Sequence, residues 1–307
     1  MLFIITYYAG IYFLIDRKKL FHPLFSISLL LLCFAAPINS LMGTGQINGV
    51  ILFLLITTFI ALYKKKPIMA GSILAIATAL KIFPVIFVPY FIIKKQWRAL
   101  TSYVFSSILL VIATVPYFKI NGIYYFWKNV FWEYFVNGIN DLTSGVSLYS
   151  LVRVAIKKNY LPFLSLPNQT LISTFDDLFL LSTIFFFTTI LYLMYKKRVT
   201  LSGQQYLNDY ALMMTFFLLF NKSVHAQYLF WTVPILIWLI YYFLKEKKVY
   251  LSIISVVIFI STEFYNFIPN SNFILTRVST IALSILFIIL LFMQTKYFKS
   301  FSPAAKH

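Results

Sequence analysis

The chain has 307 residues, 61% hydrophobic and only 11% charged, with a mean hydropathy of +0.86 and a formal charge of +18. A soluble domain of this length has too little core to hide so much apolar surface, which excludes a water-soluble globular enzyme or binding module. The positive charge does not indicate a nucleic-acid partner. Its Lys and Arg residues sit in short clusters between apolar segments, as in cytoplasmic loops, and no basic arm or recognition helix is visible.

In chain order, apolar segments of bilayer-crossing character predict spans at 1–15, 24–38, 47–63, 67–80, 82–93, 99–118, 178–195, 209–220, 227–244, 249–262 and 277–294. The expected fold is all-α, a single polytopic transmembrane domain over 1–307 with about 11 helices, several of them short. Met1 opens onto an apolar run with no cleavable leader, and the one cysteine, Cys33, lies inside an apolar segment, so no intramolecular disulfide is possible. Arg17-Lys18-Lys19, Lys64-Lys65-Lys66, Lys94-Lys95 with Arg98, Lys196-Lys197-Arg198, Lys245 with Lys247-Lys248, and Lys296 with Lys299 all fall on one face under this threading. The positive-inside rule makes that face cytoplasmic and places the C-terminus inside.

The opposite face carries the longer connections, 38–46, 119–177, 221–226 and 263–276. The 119–177 segment is read as an outer-face loop with interfacial helices, because Tyr124, Tyr125, Trp127, Phe131, Trp132 and Phe135 suit the headgroup region. A further short helix is expected within 143–156. All eight carboxylates are placed near a face and none mid-span, with Asp209 at the cytoplasmic boundary and Asp176-Asp177 ahead of a helix. The absence of a mid-span acid speaks against a proton-coupled transporter.

Three polar clusters interrupt the apolar pattern on the outer side. Asn39 to Gly49 is a glycine-bearing loop entering a helix; it is a turn and cap, or a backbone cradle for an anion. Gly71 to Pro84 is a helix of small residues, too short to cross a core of ~30 Å alone, and it ends in Lys81. Lys81 either snorkels to headgroups or meets a phosphate. Asn221-Lys222-Ser223-Val224-His225-Ala226-Gln227-Tyr228 is a short turn whose histidine anchors the interface or orients a proton.

The ordered set Gly45-Gln46-Ile47-Asn48, Gly71 through Ala79-Leu80-Lys81 to Pro84, Lys94-Lys95-Gln96-Trp97-Arg98, and His225-Ala226-Gln227-Tyr228 resembles the polyprenol-phosphate-dependent mannosyltransferases of the glycosyltransferase C superfamily. Within it, the chain looks most like glycosyltransferase family 87, over residues 38 to 244. The resemblance implies transfer of a hexose, mannose foremost, from a polyprenyl-phosphate donor to a lipid or glycan acceptor at the outer face. No cofactor is expected, and no metal, because the outer face carries no paired-carboxylate motif such as D-x-D; the donor, the acceptor and membrane lipids are the expected partners. Gln46, Asn48, Lys81, Lys222, Gln227 and Tyr228 are the expected substrate-binding residues, and His225 orients the acceptor or its base.

The family's catalytic aspartate lies in the first outer loop, and this sequence has none at such a place. The expectation is therefore a helix and loop preceding Met1; failing that, the protein is inactive or another outer acid such as Asp141 or Glu133 serves. The rival reading is a transporter or flippase for a lipid or lipid-linked sugar. Lysine outnumbers arginine 21 to 5, a bias that suggests an AT-rich bacterial genome and hence a bacterial plasma membrane.

Overall fold

The computed structural model describes residues 47–131, 147–157, 168–196, 203–222, 224, 226–263 and 272–295. The expected spans 1–15 and 24–38 lie outside the described residues. Within them the chain is helical and without strands, which bears out an all-α polytopic fold. The helices are α1 (Asn48–Tyr63), α2 (Pro67–Leu80), α3 (Val88–Ile93), α4 (Trp97–Tyr125), α5 (Leu148–Lys157), α6 (Asn168–Lys196), α7 (Gly203–Phe220), α8 (Val233–Lys245), α9 (Val249–Glu263) and α10 (Asn272–Thr295). Two 3-10 turns, Phe83–Phe87 and Ala226–Thr232, lead into α3 and α8.

Three hairpins are closed by the same backbone device. After α1, Lys66 N–H donates to Ala61 O (2.8 Å) and Lys65 N–H to Leu62 O (2.9 Å), with Lys65 at φ 55°. The pair of bonds is a Schellman motif, and Pro67 then opens α2 at a position where its missing N–H costs nothing. Between α3 and α4, Gln96 N–H reaches Phe91 O and Lys95 takes φ 54°; between α8 and α9, Lys248 N–H reaches Phe243 O and Lys247 takes φ 57°. Each left-handed position holds lysine, although glycine has the lower backbone cost there.

The α2–α4 seam is built from small residues, as membrane helices require for close approach. A Cβ on Gly71 would lie 2.1 Å from the Ala99 carbonyl oxygen and 2.8 Å from the Tyr103 nitrogen. Ser72 shares its hydroxyl with Ser102 (2.9 Å) and Ser106 (3.0 Å), and Ser102 donates to Ile68 O. Helix α4 contains Pro116 and breaks at Lys119 (φ 54°, ψ 163°), one residue beyond the predicted end of this span. Beyond the break Tyr124, Tyr125, Phe126 and Trp127 are exposed, and the chain continues as a π-turn, Phe126–Phe131.

Helix α7 is the axis of the bundle: every residue from Gln205 to Phe220 is buried. Outward lie Phe105, Ile108 and Ile112 of α4, Leu181, Ile184 and Phe185 of α6, Ile253 and Val257 of α9, and Ile281 and Ile288 of α10, all exposed. This apolar exterior is a surface for lipid rather than water. Among the described residues, four stretches, Trp97–Asn129, Thr170–Lys196, Tyr228–Lys245 and Val278–Thr295, are long and apolar enough to cross a membrane, while Asn48–Tyr63, Pro67–Leu80, Phe83–Ile93 and Val249–Thr262 are shorter.

Helices α6, α7 and α10 start five or more residues earlier than hydropathy predicts, α10 at Asn272 rather than 277. Helix α6 begins at Asn168 rather than 178, which puts Asp176 and Asp177 more than two turns inside it instead of ahead of it. At about 1.5 Å per residue its 29 residues span more than a ~30 Å core, so its first turns tolerate polar side chains beyond the hydrocarbon. Helix α7 begins at Gly203 rather than 209, and its polar entry is covered by protein.

Candidate functional site

Helices α1 and α2 form a hairpin whose free ends, Asn48 and Lys81, lie together. Lys81 follows α2 in extended conformation (φ −156°, ψ 128°), because the Ile82-Phe83-Pro84 segment turns at once into a 3-10 helix. Its ammonium donates to Asn48 Oδ1 at 2.8 Å. It also stands 4.4 Å from the centroid of the Tyr228 ring and 5.4 Å from that of Phe83.

The rings beneath are locked by packing. Phe83 meets Tyr228 edge-on (5.6 Å) and Phe217 of α7 at 5.0 Å, while Trp231 lies against both Tyr228 (5.2 Å) and Phe217 (5.8 Å). The Trp231 indole N–H donates to the Asn48 carbonyl oxygen at 3.2 Å, which ties the entry of α1 to the 3-10 turn ahead of α8. Asn48, Tyr228 and Trp231 are buried and Lys81 is partly so. Burial lowers the pKa of Lys81, which stands in the connection between helices, to about 8. A cation so placed has a low-dielectric, aromatic floor, and its charge acts more strongly than it would in water. The first turn of α1 brings its amide end to the same place, and Gly49 has open space where a Cβ would stand.

Of the residues singled out from sequence, Asn48, Lys81 and Tyr228 thus come together. Gln46, Asp141, Glu133 and His225 lie outside the described residues, and Gln227 is in the 3-10 turn Ala226–Thr232. Lys222 turns elsewhere, its ammonium 5.2 Å from the centroid of the Tyr149 ring of α5. Among the described residues, no group of three or more His, Cys, Asp or Glu side chains is gathered as for a metal.

A second polar centre sits at the other end of the bundle, where sequence reasoning had only a boundary acid. Asp209 is fully buried: its Oδ2 lies 2.8 Å from Lys94 Nζ and accepts from the Tyr90 hydroxyl (3.1 Å), and its Oδ1 accepts from Gln294 Nε2 (3.0 Å). Asn208 donates to Gln294 Oε1. Lys94, read as one of the cytoplasmic loop charges, is 5% exposed and belongs to this network. Asp209 keeps its place near the basic end of the bundle, but it is buried and paired there rather than facing solvent. The missed signal was Gln294: a lone amide near the end of an apolar helix needs a partner.

Similarity to known proteins points one way. The family model for glycosyltransferase family 87 matches residues 2–221, from the chain's start through Asn48, Lys81 and the whole of α7. No curated protein matches the chain.

Proposed function

The chain belongs to glycosyltransferase family 87 and is an integral membrane glycosyltransferase; on that premise we propose that it moves a hexose, mannose foremost, from a polyprenyl-phosphate carrier to a lipid or glycan acceptor at the outer face. The observation that carries the proposal is the Lys81 ammonium held between Asn48 Oδ1 and the Tyr228 ring at the free end of a short helical hairpin.

The reaction forms a bond between an acceptor oxygen and the anomeric carbon and breaks the bond from that carbon to the carrier phosphate. The acceptor proton goes to a base, and the polyprenyl phosphate departs with the bonding pair. Negative charge therefore grows on the phosphate in the transition state, and a preorganised cation beside it lowers the barrier. Lys81 supplies that cation, Asn48 and Tyr228 fix its position, and the α1 amide end adds partial positive charge. Gln46 and Gln227 are assigned to the sugar and phosphate and His225 to orienting the acceptor or its base, while Lys222, turned toward Tyr149, is left out of the Lys81 site. Asp141 is the alternative acid. The site end lies opposite the Lys64–Lys66, Lys94–Lys95 and Lys245–Lys248 turns; the proposed orientation follows the positive-inside rule, with the site outside and the C-terminus inside, and the membrane proposed is a bacterial plasma membrane.

The test is transfer from radiolabelled polyprenyl-phosphate mannose in membranes containing the full chain. Lys81→Met is expected to lower kcat/KM by roughly 10²–10³-fold, and Lys81→Arg to retain much of it. Wild-type transfer by Lys81→Met would sink the site assignment. Carrier movement across vesicles with no glycosidic product would select a flippase instead.

A further inference from the structure

Between Arg17 and Trp132 the chain holds no Asp or Glu, yet the fold sets two basic turns of this stretch side by side. The small-residue seam fixes their register. Ser102 donates to Ile68 O at 2.8 Å, Ser72 meets both Ser102 and Ser106, and Gly71 lies against the Ala99 carbonyl. Followed back one turn, that register puts the α1–α2 turn, Lys64–Lys66, beside the α3–α4 turn, which holds Lys95 and leads to Arg98. These five cations are all exposed. Lys94 alone of the two turns faces inward, to Asp209. Among the described residues none of the five lies within ion-pairing distance of a carboxylate. Charge of one sign gathered in this way repels itself and attracts an anion.

The residues bordering the cations decide which anion fits. Tyr63, Ile68, Ile92 and Trp97 are exposed, Ile68 at 64% and Trp97 at 56%, and Phe105 and Ile108 continue the apolar exterior along α4. A ligand held here has an acidic head on the turns and hydrocarbon beside the helices. A nucleic acid or a soluble acidic protein would leave that apolar border uncovered. Membrane orientation by itself needs only positive charge at this end of the bundle. It needs neither two turns packed together nor an apolar rim beneath them.

We propose that the paired α1–α2 and α3–α4 turns bind an anionic phospholipid of the leaflet at that end, its headgroup on the five cations and its acyl chains beside Ile68 and Trp97. The site lies at the other end of α2 from Lys81 and needs neither sugar donor nor acceptor. The α8–α9 turn supplies an internal comparison, because Glu246 offsets part of the charge of Lys245, Lys247 and Lys248.

The experiment is native mass spectrometry of the full chain in detergent, with phosphatidylglycerol or phosphatidylcholine added. The wild type is expected to retain phosphatidylglycerol and release phosphatidylcholine. Lys65→Gln/Arg98→Gln should weaken phosphatidylglycerol binding about 25-fold, roughly fivefold for each cation removed. Lys65→Arg/Arg98→Lys should keep it, as should Lys247→Gln/Lys248→Gln, and equal unfolding midpoints show that the variants fold. Equal retention of the two lipids overturns the proposal, as does unchanged affinity in Lys65→Gln/Arg98→Gln. So do an equal loss in the α8–α9 variant, which makes the attraction diffuse, and displacement by inorganic phosphate at the lipid's concentration, which makes the ligand a free anion. Each outcome is read from lipid retention alone, so none depends on whether Lys81→Met abolishes transfer.

Discussion

At the residue scale, Lys81 and Asp209 show two ways of keeping charge away from water. The Lys81 ammonium has a pKa of about 8, lowered by burial, against an ordinary value of 10.5. The proposed chemistry needs the protonated form, so transfer should fall as pH rises through about 8. Lys81→Arg should move that descending limb to much higher pH, since a guanidinium stays charged. A pH–rate profile of the two proteins measures this directly. Asp209 instead relies on Lys94, Tyr90 and Gln294. Removing one member of a buried pair leaves the other uncompensated, at a cost of about 3–5 kcal/mol. Lys94→Met is therefore expected to lower the unfolding midpoint sharply. The double variant Lys94→Met/Asp209→Asn should recover part of that loss, which thermal unfolding in detergent will report.

At the scale of elements, the small-residue seam between α2 and α4 is the most demanding contact. The obstruction at Gly71 is backbone of α4, which no rotamer change relieves. Gly71→Ala should destabilise by about 1–3 kcal/mol through overpacking and pull the free end of α2, with Lys81, out of register. Both a lower unfolding midpoint and reduced transfer are expected, in contrast to Lys81→Met, which should lose transfer alone. Much of α1 and α2 was legible in advance, because Pro67, the flanking lysines and an unbroken apolar run leave few alternatives. Asn48, Lys81 and Tyr228 were legible for the same reason: polar groups at the ends of apolar helices are conspicuous. The starts of α6 and α7 were not, since Asp176 and Asp209 look like solvent-facing residues until protein on other helices covers them. Tyr149 and Arg153 fall in the short helix expected within 143–156, which α5 (Leu148–Lys157) matches. Only packing of α5 on α6 brings Tyr149 to the Asp176 carboxylate.

At the scale of the molecule, the three basic hairpin turns lie at the end where Lys94, Asp209 and Gln294 join α3, α7 and α10, and the Asn48–Lys81–Tyr228 group lies at the other. Single cysteines placed in a Cys33→Ser background test which end faces out. Lys65→Cys and Lys247→Cys should be labelled by a membrane-impermeant maleimide only after the membrane is opened, and Lys222→Cys in intact cells. The reverse pattern would invert the topology and move the proposed transfer to the cytoplasmic side.

The left-handed lysines at 65, 95 and 247 carry a consequence for biosynthesis. With the proposed orientation, each is at once the residue that reverses the chain and one of the charges that resist translocation. A nascent hairpin would therefore reach the insertion machinery with its fold and its address written at the same apex. Glycine there would ease the backbone and erase part of the address, so the strain persists as the counterpart of correct insertion.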